Sequence, residues 1–339
     1  MLIPVLLLAV GFILLIKGGD WFVDGASGIA RRFRLPEILI GATVVSIGTT
    51  LPEVMVSAGA AFQGSGSIAY GNAIGSIICN TSLIAALTIA VKPGKAARKS
   101  LIMPVAFFFG AAAIYCVCSY VFGAFARTTG IILLATFVVY MIATVFRMKN
   151  SNSELEGHET EEALEAASGE DFVVESEAAG TKDSLLKDII LLVLGAVLIA
   201  VGADLLVDNA IVIAENFGVS EKVIGLTIVA LGTSLPELVT AITSLIKGHG
   251  SLSLGNIIGA NLFNLVLVSG AAITISPFEL PVSGLIGGIN SSLVIDIPVM
   301  LAVMLILTVP TLIKQKLSRW QGIVMLGIYA AFCVLQFAI

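Results

Sequence analysis

Charge is scarce in this sequence. Only 12% of the 339 residues are Asp, Glu, Lys or Arg, 58% are hydrophobic, and the mean hydropathy is +1.05. This composition excludes an ordinary soluble globular protein. Cysteine and histidine are scarce too. All four cysteines lie in apolar segments, where we interpret them as small hydrophobic residues, and the two histidines form no metal-ligand cluster. Neither a disulfide framework nor a Cys/His metal site is therefore expected.

The apolar runs are about 20 residues long, the length at which a helix crosses a hydrocarbon core of roughly 30 Å. They predict an all-α membrane protein with about ten transmembrane helices. The expected spans are 2–26, 36–62, 67–91, 100–122 and 127–147 in the first half, and 185–213, 220–246, 251–275, 287–313 and 319–338 in the second.

The two halves repeat one another. Gly48-Thr49-Thr50-Leu51-Pro52-Glu53 returns as Gly232-Thr233-Ser234-Leu235-Pro236-Glu237, and the later Gly-Asn-x-x-Gly motif with its following Asn80 returns with Asn264, always 184 positions on and without a gap. Such self-similarity indicates an internal duplication. Because five is an odd number of helices, the second copy enters the bilayer from the opposite face. This predicts two inverted five-helix repeats, an arrangement typical of secondary transporters, whose site lies near the midplane.

We expect three regions: a first repeat at 1–149, an acidic linker at 150–184 and a second, inverted repeat at 185–339. Fifteen Lys and Arg residues fall on one side of the predicted spans, and only Arg127 and Lys222 on the other. By the positive-inside rule the basic side is cytoplasmic. We therefore expect a multi-pass protein of the plasma (inner) membrane, with both termini outside and the linker inside.

The linker contains 11 of the 23 acidic residues and a single lysine, with almost no aromatic residues. It cannot bury enough apolar surface to offset its ordering entropy, which predicts disorder. A calcium-sensing role is the alternative, although the segment lacks the spaced Asp, Asn and Gly residues of a calcium loop.

Glu53 and Glu237 fall midway along the second and seventh predicted helices. A carboxylate there costs at least about 2.5–3.5 kcal/mol on insertion scales, so its default interpretation is an ion or proton pathway. A protonated structural glutamate is the alternative. Its occurrence twice, in identical frames of a duplication, disfavours that interpretation.

Other oxygen atoms accompany each glutamate. Thr49 and Thr50 precede Glu53 by four and three residues and share its helix face. Pro52 has no N–H, so the carbonyl of Gly48 loses its helical donor. The second copy supplies the same set as Thr233, Ser234, Pro236 and Gly232. Carboxylate, hydroxyl and carbonyl oxygens together are what hard cations such as calcium or sodium require.

The next helix of each repeat adds fewer groups. Ser76 and Asn80, at positions i and i+4, offer two more oxygens, whereas the second copy has Ala260 and Asn264 and so lacks one hydroxyl. The glycines of the motif are Gly71, Gly75, Gly255 and Gly259, and their spacing predicts close helix packing. The adjacent Asn72 and Asn256 are expected to hydrogen-bond across helices. Asp20, Asp24, Asp204 and Asp208 are expected at solvated helix ends, with a gating role as the alternative, and Asp296 is expected to be structural.

The paired motifs resemble the two alpha-repeats of the cation/calcium exchanger superfamily, and in particular prokaryotic sodium/calcium exchanger proteins, over both halves of the chain. The resemblance implies a secondary active antiporter, not an enzyme, that exchanges sodium for calcium by alternating access. It implies no cofactor, no nucleic acid and no obligate protein partner beyond the ions and the bilayer. In that family the ion sites form a diamond where helices 2, 3, 7 and 8 meet, and helices 1 and 6 slide.

The ligands that the resemblance implies are Glu53, Glu237, Thr49, Thr50, Thr233, Ser234, Ser76, Asn80 and Asn264, with carbonyls from Ser46 and Ala230. Two positions depart from the family pattern. Ala260 stands where many relatives have Ser, which weakens one sodium site. Asn264 stands where some relatives, including potassium-dependent ones, have Asp, which argues against potassium cotransport.

Three alternatives stay open. In a proton-coupled calcium or cation antiporter the same glutamates would be emptied by protonation, which burial favours. An intramembrane enzyme could use the pair as acid and base, but it would need a differentiated site, and the two ligand sets are nearly symmetric. A non-transporting scaffold would leave two mid-membrane glutamates without a purpose.

Overall fold

The structure is a computed structural model that describes residues 2–33, 35–166, 182–217, 232, 234–282 and 284–338. Most of these residues are helical. We number the helices along the chain and join α and π turns that follow one another without a break. They are α1 (Leu2–Arg32), α2 (Glu37–Phe62), α3 (Gly66–Val91), α4 (Arg98–Phe122), α5 (Arg127–Ala166), α6 (Lys182–Asn216), α7 (Leu235–Ile246), α8 (Gly250–Ile275), α9 (Ser292–Lys314) and α10 (Arg319–Ala338).

Eight of these helices are long and apolar enough to cross a bilayer, all except α7 and α10. α10 is a helix of 20 mostly apolar residues. α7 is described over 12 residues, and residues 220–231 and 233 of its predicted span lie outside the described part of the chain. The prediction of an all-α membrane protein with about ten helices is confirmed.

Two short sheet contacts tie the halves of the molecule together. β1 (Ala124–Phe125), after α4, pairs antiparallel with β2 (Phe278–Glu279), after α8. Between the loops after α3 and α9, Lys95 and Lys316 form an antiparallel bridge. The two contacts are equivalent to each other, because each joins the loop after the third helix of one repeat to the loop after the fourth helix of the other, and they lie at opposite ends of α4. An inverted repeat requires this placement.

Some boundaries differ from the predicted ones. The helix at 287 predicted from the sequence is wrong at its start, because Leu285–Ile286 (β3) and Ile289–Asn290 (β4) form a hairpin. Its two turn residues, Gly287 and Gly288, have φ angles of 57° and 83°. Two consecutive positive φ angles are what a two-residue hairpin turn needs. At the end of the first repeat, α5 continues to Ala166. Residues 167–181 lie outside the described residues, so the disorder expected for the linker stays a prediction.

The helices α1 and α6 pack backbone against backbone. A Cβ atom built on Gly11 would lie 2.8 Å from the Gly202 carbonyl oxygen, and one built on Gly18 would lie 2.8 Å from the Ile199 nitrogen. The small residues recur every seven positions on both helices: Gly11, Gly18 and Gly25 on α1, and Gly195 and Gly202 on α6. A seven-residue period keeps one face turned toward the partner helix, and small residues let the backbones touch. α1 and α6 therefore form a single antiparallel unit.

Ion pairs gather at one end of the molecule. Lys247, just after α7, places its Nζ 2.8 Å from Asp24 Oδ1 and 3.4 Å from Asp20 Oδ1. His249 Nδ1 lies 2.6 Å from Glu37 Oε1, at the start of α2. These contacts bring the ends of α1 and α7 and the starts of α2 and α8 together. This is the end where the sequence concentrates Lys and Arg.

Candidate ion-binding site

Four helices meet at the junction of the two repeats. Every pair among α2, α3, α7 and α8 is in contact. The other six helices surround this group, with the α1–α6 unit against α2 and α7. The described ligands predicted from the repeated motifs lie on these four helices or, for Ser234, at the start of α7, so the structure brings both copies of the motif together.

Glu53 lies at the centre of α2. Its side chain is fully buried, and so is that of Thr50, while Thr49 is 2% exposed. The α-helical part of α2 runs from Ser46 to Phe62 and includes Pro52. Since proline has no N–H, the carbonyl oxygen of Gly48 has no helical donor. The predicted oxygen cluster on one face of α2 is present.

Glu237 occupies the equivalent place in the first turn of α7, and it is also fully buried. Here the helix begins at Leu235, and Ser234, its N-cap residue, has φ −95° and ψ 6°. The first copy is helical through its proline, whereas the second begins a helix there. Thr233 and Ala230, the other two predicted ligands of this copy, lie outside the described residues.

Asn80 and Asn264 each start a π-helical turn, Asn80–Ala85 in α3 and Asn264–Val268 in α8. Both side chains are fully buried. π turns inside α-helices occur frequently at functional sites, and this one appears in both repeats at the same position. Four residues earlier, Ser76 is buried in α3, and Ala260 is buried in α8.

The site is identified by polar atoms that have no partner. Both carboxyl oxygens of Glu53 and Glu237, both amide atoms of Asn80 and Asn264, and the hydroxyls of Thr50 and Ser234 are buried without a hydrogen bond in the described part of the chain. A buried polar atom left unpaired costs about 1–3 kcal/mol. The carboxyl groups of Glu53 and Glu237 also interact electrostatically, and no described salt bridge reaches either of them. A cation bound among the carboxyl, hydroxyl and amide oxygens would satisfy these oxygens, though not the two amide nitrogens, so the oxygen set fits calcium or sodium.

Neighbouring residues fix the ligand helices in place. Asn72 Nδ2 donates to the Glu53 carbonyl oxygen at 3.1 Å and to Ser57 Oγ at 2.8 Å, which ties α3 to α2. Thr49 Oγ1 donates to Asn256 Oδ1 at 3.2 Å, which ties α2 to α8. These bonds confirm the prediction that both asparagines bond across helices. Ser46, predicted to offer its carbonyl, is fully buried, and its hydroxyl donates to Gly41 O at 2.7 Å.

Close packing is confirmed for two of the four motif glycines. A Cβ atom on Gly255 would lie 2.2 Å from Ile38 O, and one on Gly259 would lie 2.3 Å from Ser46 Oγ. α8 therefore crosses α2 at backbone distance. No described atom lies within 4 Å of a Cβ atom built on Gly71 or Gly75. The repeat places the partner of these two glycines at residues 218–231, outside the described residues, so their packing stays a prediction.

The α1–α6 unit covers the open face of the site. Phe22 of α1 is 1% exposed, and a Cβ atom on Gly48 would lie 3.1 Å from its Cζ. A narrow cavity of about 10 Å³ lies between Thr49, Pro52 and Pro236 on one side and Phe22 and α6 on the other. This volume is at the lower limit for one water molecule. The ligand helices are therefore closed off on this side by one aromatic ring and the apolar face of α6.

The remaining acidic residues lie outside the site. Asp204 and Asp208 are exposed, as predicted, but they do not lie at a helix end, because α6 continues to Asn216. Asp20 and Asp24 do not lie at a helix end either, because α1 continues to Arg32. They pair with Lys247 of the other repeat, which the sequence did not predict. Asp296 accepts a hydrogen bond of 2.7 Å from Gln336 Nε2, which accords with a structural role.

Sequence reasoning missed two hydroxyls beside Glu237. Thr240 and Ser244 lie three and seven residues after it in α7, and both are fully buried without a hydrogen-bond partner in the described residues. The repeat gave no signal, because their counterparts in the first copy are Val56 and Ala60. The i, i+3, i+7 spacing from Glu237 alone would have found them.

Comparison with known proteins follows the two repeats. The family model described as sodium/calcium exchanger protein matches residues 3–146 and 187–338. This chain belongs to the sodium/calcium exchanger family. The family membership confirms the resemblance predicted from the repeated motifs.

Individual relatives match this exchanger over nearly its full length. The sodium/calcium exchanger MaX1 of Methanosarcina acetivorans is 33% identical over 98% of both chains. The inner membrane protein YrbG of Escherichia coli is 36% identical over 83% of this chain and 82% of its own. Among solved structures, the sodium-calcium exchanger NCX_Mj soaked with 10 mM Na+ and zero Ca2+ is 32% identical, with a TM-score of 0.76 over 98% of each chain.

Proposed function

We propose that this exchanger is a secondary active antiporter that moves sodium and calcium in opposite directions through a single central site built on Glu53 and Glu237. The observation that carries the proposal is the set of unpaired polar atoms where the two repeats meet. Two carboxyl groups and two asparagine side chains, one of each from each repeat, are buried on helices that contact one another, without hydrogen-bond partners among the described residues. The additional ligands are Thr49, Thr50, Thr233, Ser234 and Ser76, with carbonyls from Ser46 and Ala230.

The charge of the site supports exchange of these two ions. Two ionised glutamates neutralise one calcium ion or two sodium ions. A neutral assembly crosses low-dielectric surroundings at far lower cost than a charged one. Either load would relieve the repulsion between Glu53 and Glu237 and permit the site to change its exposure, whereas the empty site would stay locked. Calcium and sodium then compete for the same carboxylates, and a third sodium would make transport electrogenic.

Movement of the α1–α6 unit would switch the side of the membrane to which the ion site is open. Phe22 and the apolar face of α6 lie directly over Gly48 and Thr49. Sliding of this unit past α2 and α7 would uncover the ligands on one side of the membrane and then on the other. The ligand helices are fixed to each other by glycine contacts and cross-helix hydrogen bonds, so they would stay in place.

The membrane placement belongs to the same proposal. The basic end of the molecule would face the cytoplasm by the positive-inside rule, which puts both termini outside. The acidic linker at 150–184 would then be a cytoplasmic segment between the repeats, and the membrane would be the plasma (inner) membrane.

Radiolabelled calcium uptake into proteoliposomes tests the function. Vesicles are loaded with sodium and diluted into sodium-free buffer, with pH clamped equal on both sides. We expect uptake that requires internal sodium and that is lost in Glu53→Gln and in Glu237→Gln. Uptake driven only by an imposed proton gradient would instead establish the proton-coupled alternative, and no uptake under either gradient would exclude calcium as the transported ion.

Asp296→Asn is the matched control. It removes another buried carboxyl group of the membrane domain, and an asparagine oxygen can still accept the hydrogen bond from Gln336. Uptake should persist in this variant. Equal loss in Asp296→Asn and Glu53→Gln would mean that the assay detects general damage to the fold, and the site assignment would not stand.

A further inference from the structure

A second cavity, of about 250 Å³, opens at the basic end of the molecule. It lies between the end of α3, the start of α8 and the loops that precede α8 and α10. Its deeper wall is apolar, with Ala85, Ile89 and Ile257. Lys92 and Lys95 stand at its rim, and none of the described residues that line it is acidic.

One buried hydroxyl lines this cavity without a partner. Ser253 is 4% exposed, yet its Oγ makes no hydrogen bond within the described residues. Several buried hydroxyls elsewhere in the helices bond to the carbonyl four residues earlier, as Ser82 does to Ile78 and Thr308 to Met304. At Ser253 that carbonyl belongs to His249, which already accepts from two backbone N–H groups. The hydroxyl is therefore free to donate into the cavity.

The first turn of α8 adds backbone donors. His249 is the N-cap residue, and it gives no side-chain cap because its ring pairs with Glu37. The N–H groups of Gly250 and Ser251, which line the cavity, have no acceptor among the described residues. The N-terminus of a helix also carries a partial positive charge. Backbone N–H groups, a buried hydroxyl and two ammonium groups thus surround one space, and all of them favour an anion.

We propose that this cavity is a phosphate-binding site. Phosphate offers the several acceptor oxygens and the negative charge that this donor set requires. The group can come from the headgroup of an anionic lipid, since basic pockets between transmembrane helices on the cytoplasmic side bind such headgroups. It can also come from a soluble phosphate compound. Because α8 carries Asn264, a ligand here would hold the base of a helix that lines the ion site.

Lipid retention by the purified full chain tests the proposal. Protein in neutral detergent is mixed with phosphatidylglycerol, and bound lipid is counted by native mass spectrometry. Lys92→Gln/Lys95→Gln should reduce retention about 30-fold, because each lysine near an anionic surface contributes roughly a factor of five. Ser253→Val, which removes the hydroxyl donor without changing charge, should also reduce it. The matched control, Arg98→Gln/Lys99→Gln, removes two charges from the same end of the molecule but outside the cavity, and should retain the lipid.

A second arm separates the two sources. Inorganic phosphate is titrated against lipid-free protein while the unfolding temperature is measured. Stabilisation that disappears in Lys92→Gln/Lys95→Gln, without lipid retention in the wild type, supports a soluble phosphate ligand at the same site. The proposal is overturned if both double variants lose lipid equally, if Ser253→Val retains it fully, or if neither phosphatidylglycerol nor phosphate binds the wild type. These binding measurements do not depend on ion transport, so they stand or fall separately from the proposed exchange.

Discussion

Replacing Gly195 by alanine should separate α1 from α6. A Cβ atom at this position would lie 2.4 Å from the Phe22 nitrogen, 2.7 Å from its Cα and 2.8 Å from the Gly18 carbonyl oxygen. Ordinary contact begins near 3.4 Å, so the two backbones must move apart by about 1 Å. All three neighbours are backbone atoms and cannot rotate away. Overpacking of this kind typically costs about 1–3 kcal/mol.

The substitution should reduce transport as well as stability, because the displaced residue is Phe22, which covers the ligand helices. We expect Gly195→Ala to lower the free energy of unfolding in detergent by about 1–3 kcal/mol and to reduce sodium-dependent calcium uptake in proteoliposomes by more than half. The matched control is Gly110→Ala in α4, where a Cβ atom meets no described atom within 4 Å. That variant should be as stable as the wild type or gain about 0.5–1 kcal/mol.

Two results would refute the reasoning. If Gly195→Ala unfolds and transports like the wild type, α1 and α6 are not in backbone contact at this position. If Gly110→Ala is damaged to the same extent, the loss reflects any added methyl group and not this interface. Gly202→Ala gives an independent repeat of the test, since its Cβ atom would lie 2.9 Å from Gly11 O and from the Leu15 nitrogen.

Three further predictions follow from the site and the basic end. Ala260→Ser should restore the hydroxyl that Ser76 supplies in the other repeat. It should lower the half-saturating sodium concentration for calcium uptake about 2- to 10-fold, because the new contact resembles one hydrogen bond in strength. An unchanged sodium titration would exclude Ala260 from the site. Asn264→Asp should add one negative charge to the site, so the calcium-loaded site would no longer be neutral and sodium-dependent calcium uptake should fall. Unchanged uptake would place Asn264 outside the ion path. Lys247→Gln should remove the ion pairs to Asp20 and Asp24, each of which contributes about 0.2–1 kcal/mol. Because added inert salt screens such pairs, calcium flux in the variant should respond less to salt at that face than flux in the wild type. An equal salt response would mean that these pairs do not restrain the α1–α6 unit.

The architecture and most of the candidate site could be predicted because the duplication is directly visible in the sequence as a repeated motif. Two copies at one offset reveal which polar residues belong to the fold of both halves, and an odd helix count makes the copies inverted. The four residues that we propose as central ligands, Glu53, Glu237, Asn80 and Asn264, were all identified in this way. The structure places these four side chains on the four helices that contact one another.

Features that break the symmetry could not be predicted in the same way. Thr240 and Ser244 have apolar counterparts, so comparison of the repeats hides them. The pairing of Lys247 with Asp24 joins residues 223 positions apart, and only the fold brings them together. The hairpin at Gly287 and Gly288 was missed because a hydropathy pattern records burial and not the sign of φ. The backbone donors of the proposed phosphate site could not be predicted either. They are the N–H groups of the first turn of a helix, so they depend on where the helix begins and not on which residue types occur there.

The matching π turns at Asn80 and Asn264 also carry information about descent. A π turn holds one residue more than an α turn can accommodate, since its hydrogen bonds reach five residues instead of four. Both turns begin at equivalent positions, and the spacing between the repeats is uninterrupted across them. The extra residue must therefore have been present in the single ancestral half before it was copied. The irregular turn is then older than the two-repeat protein, and the ancestor, pairing with an inverted second copy of itself, would already have presented a glutamate and an asparagine from each subunit.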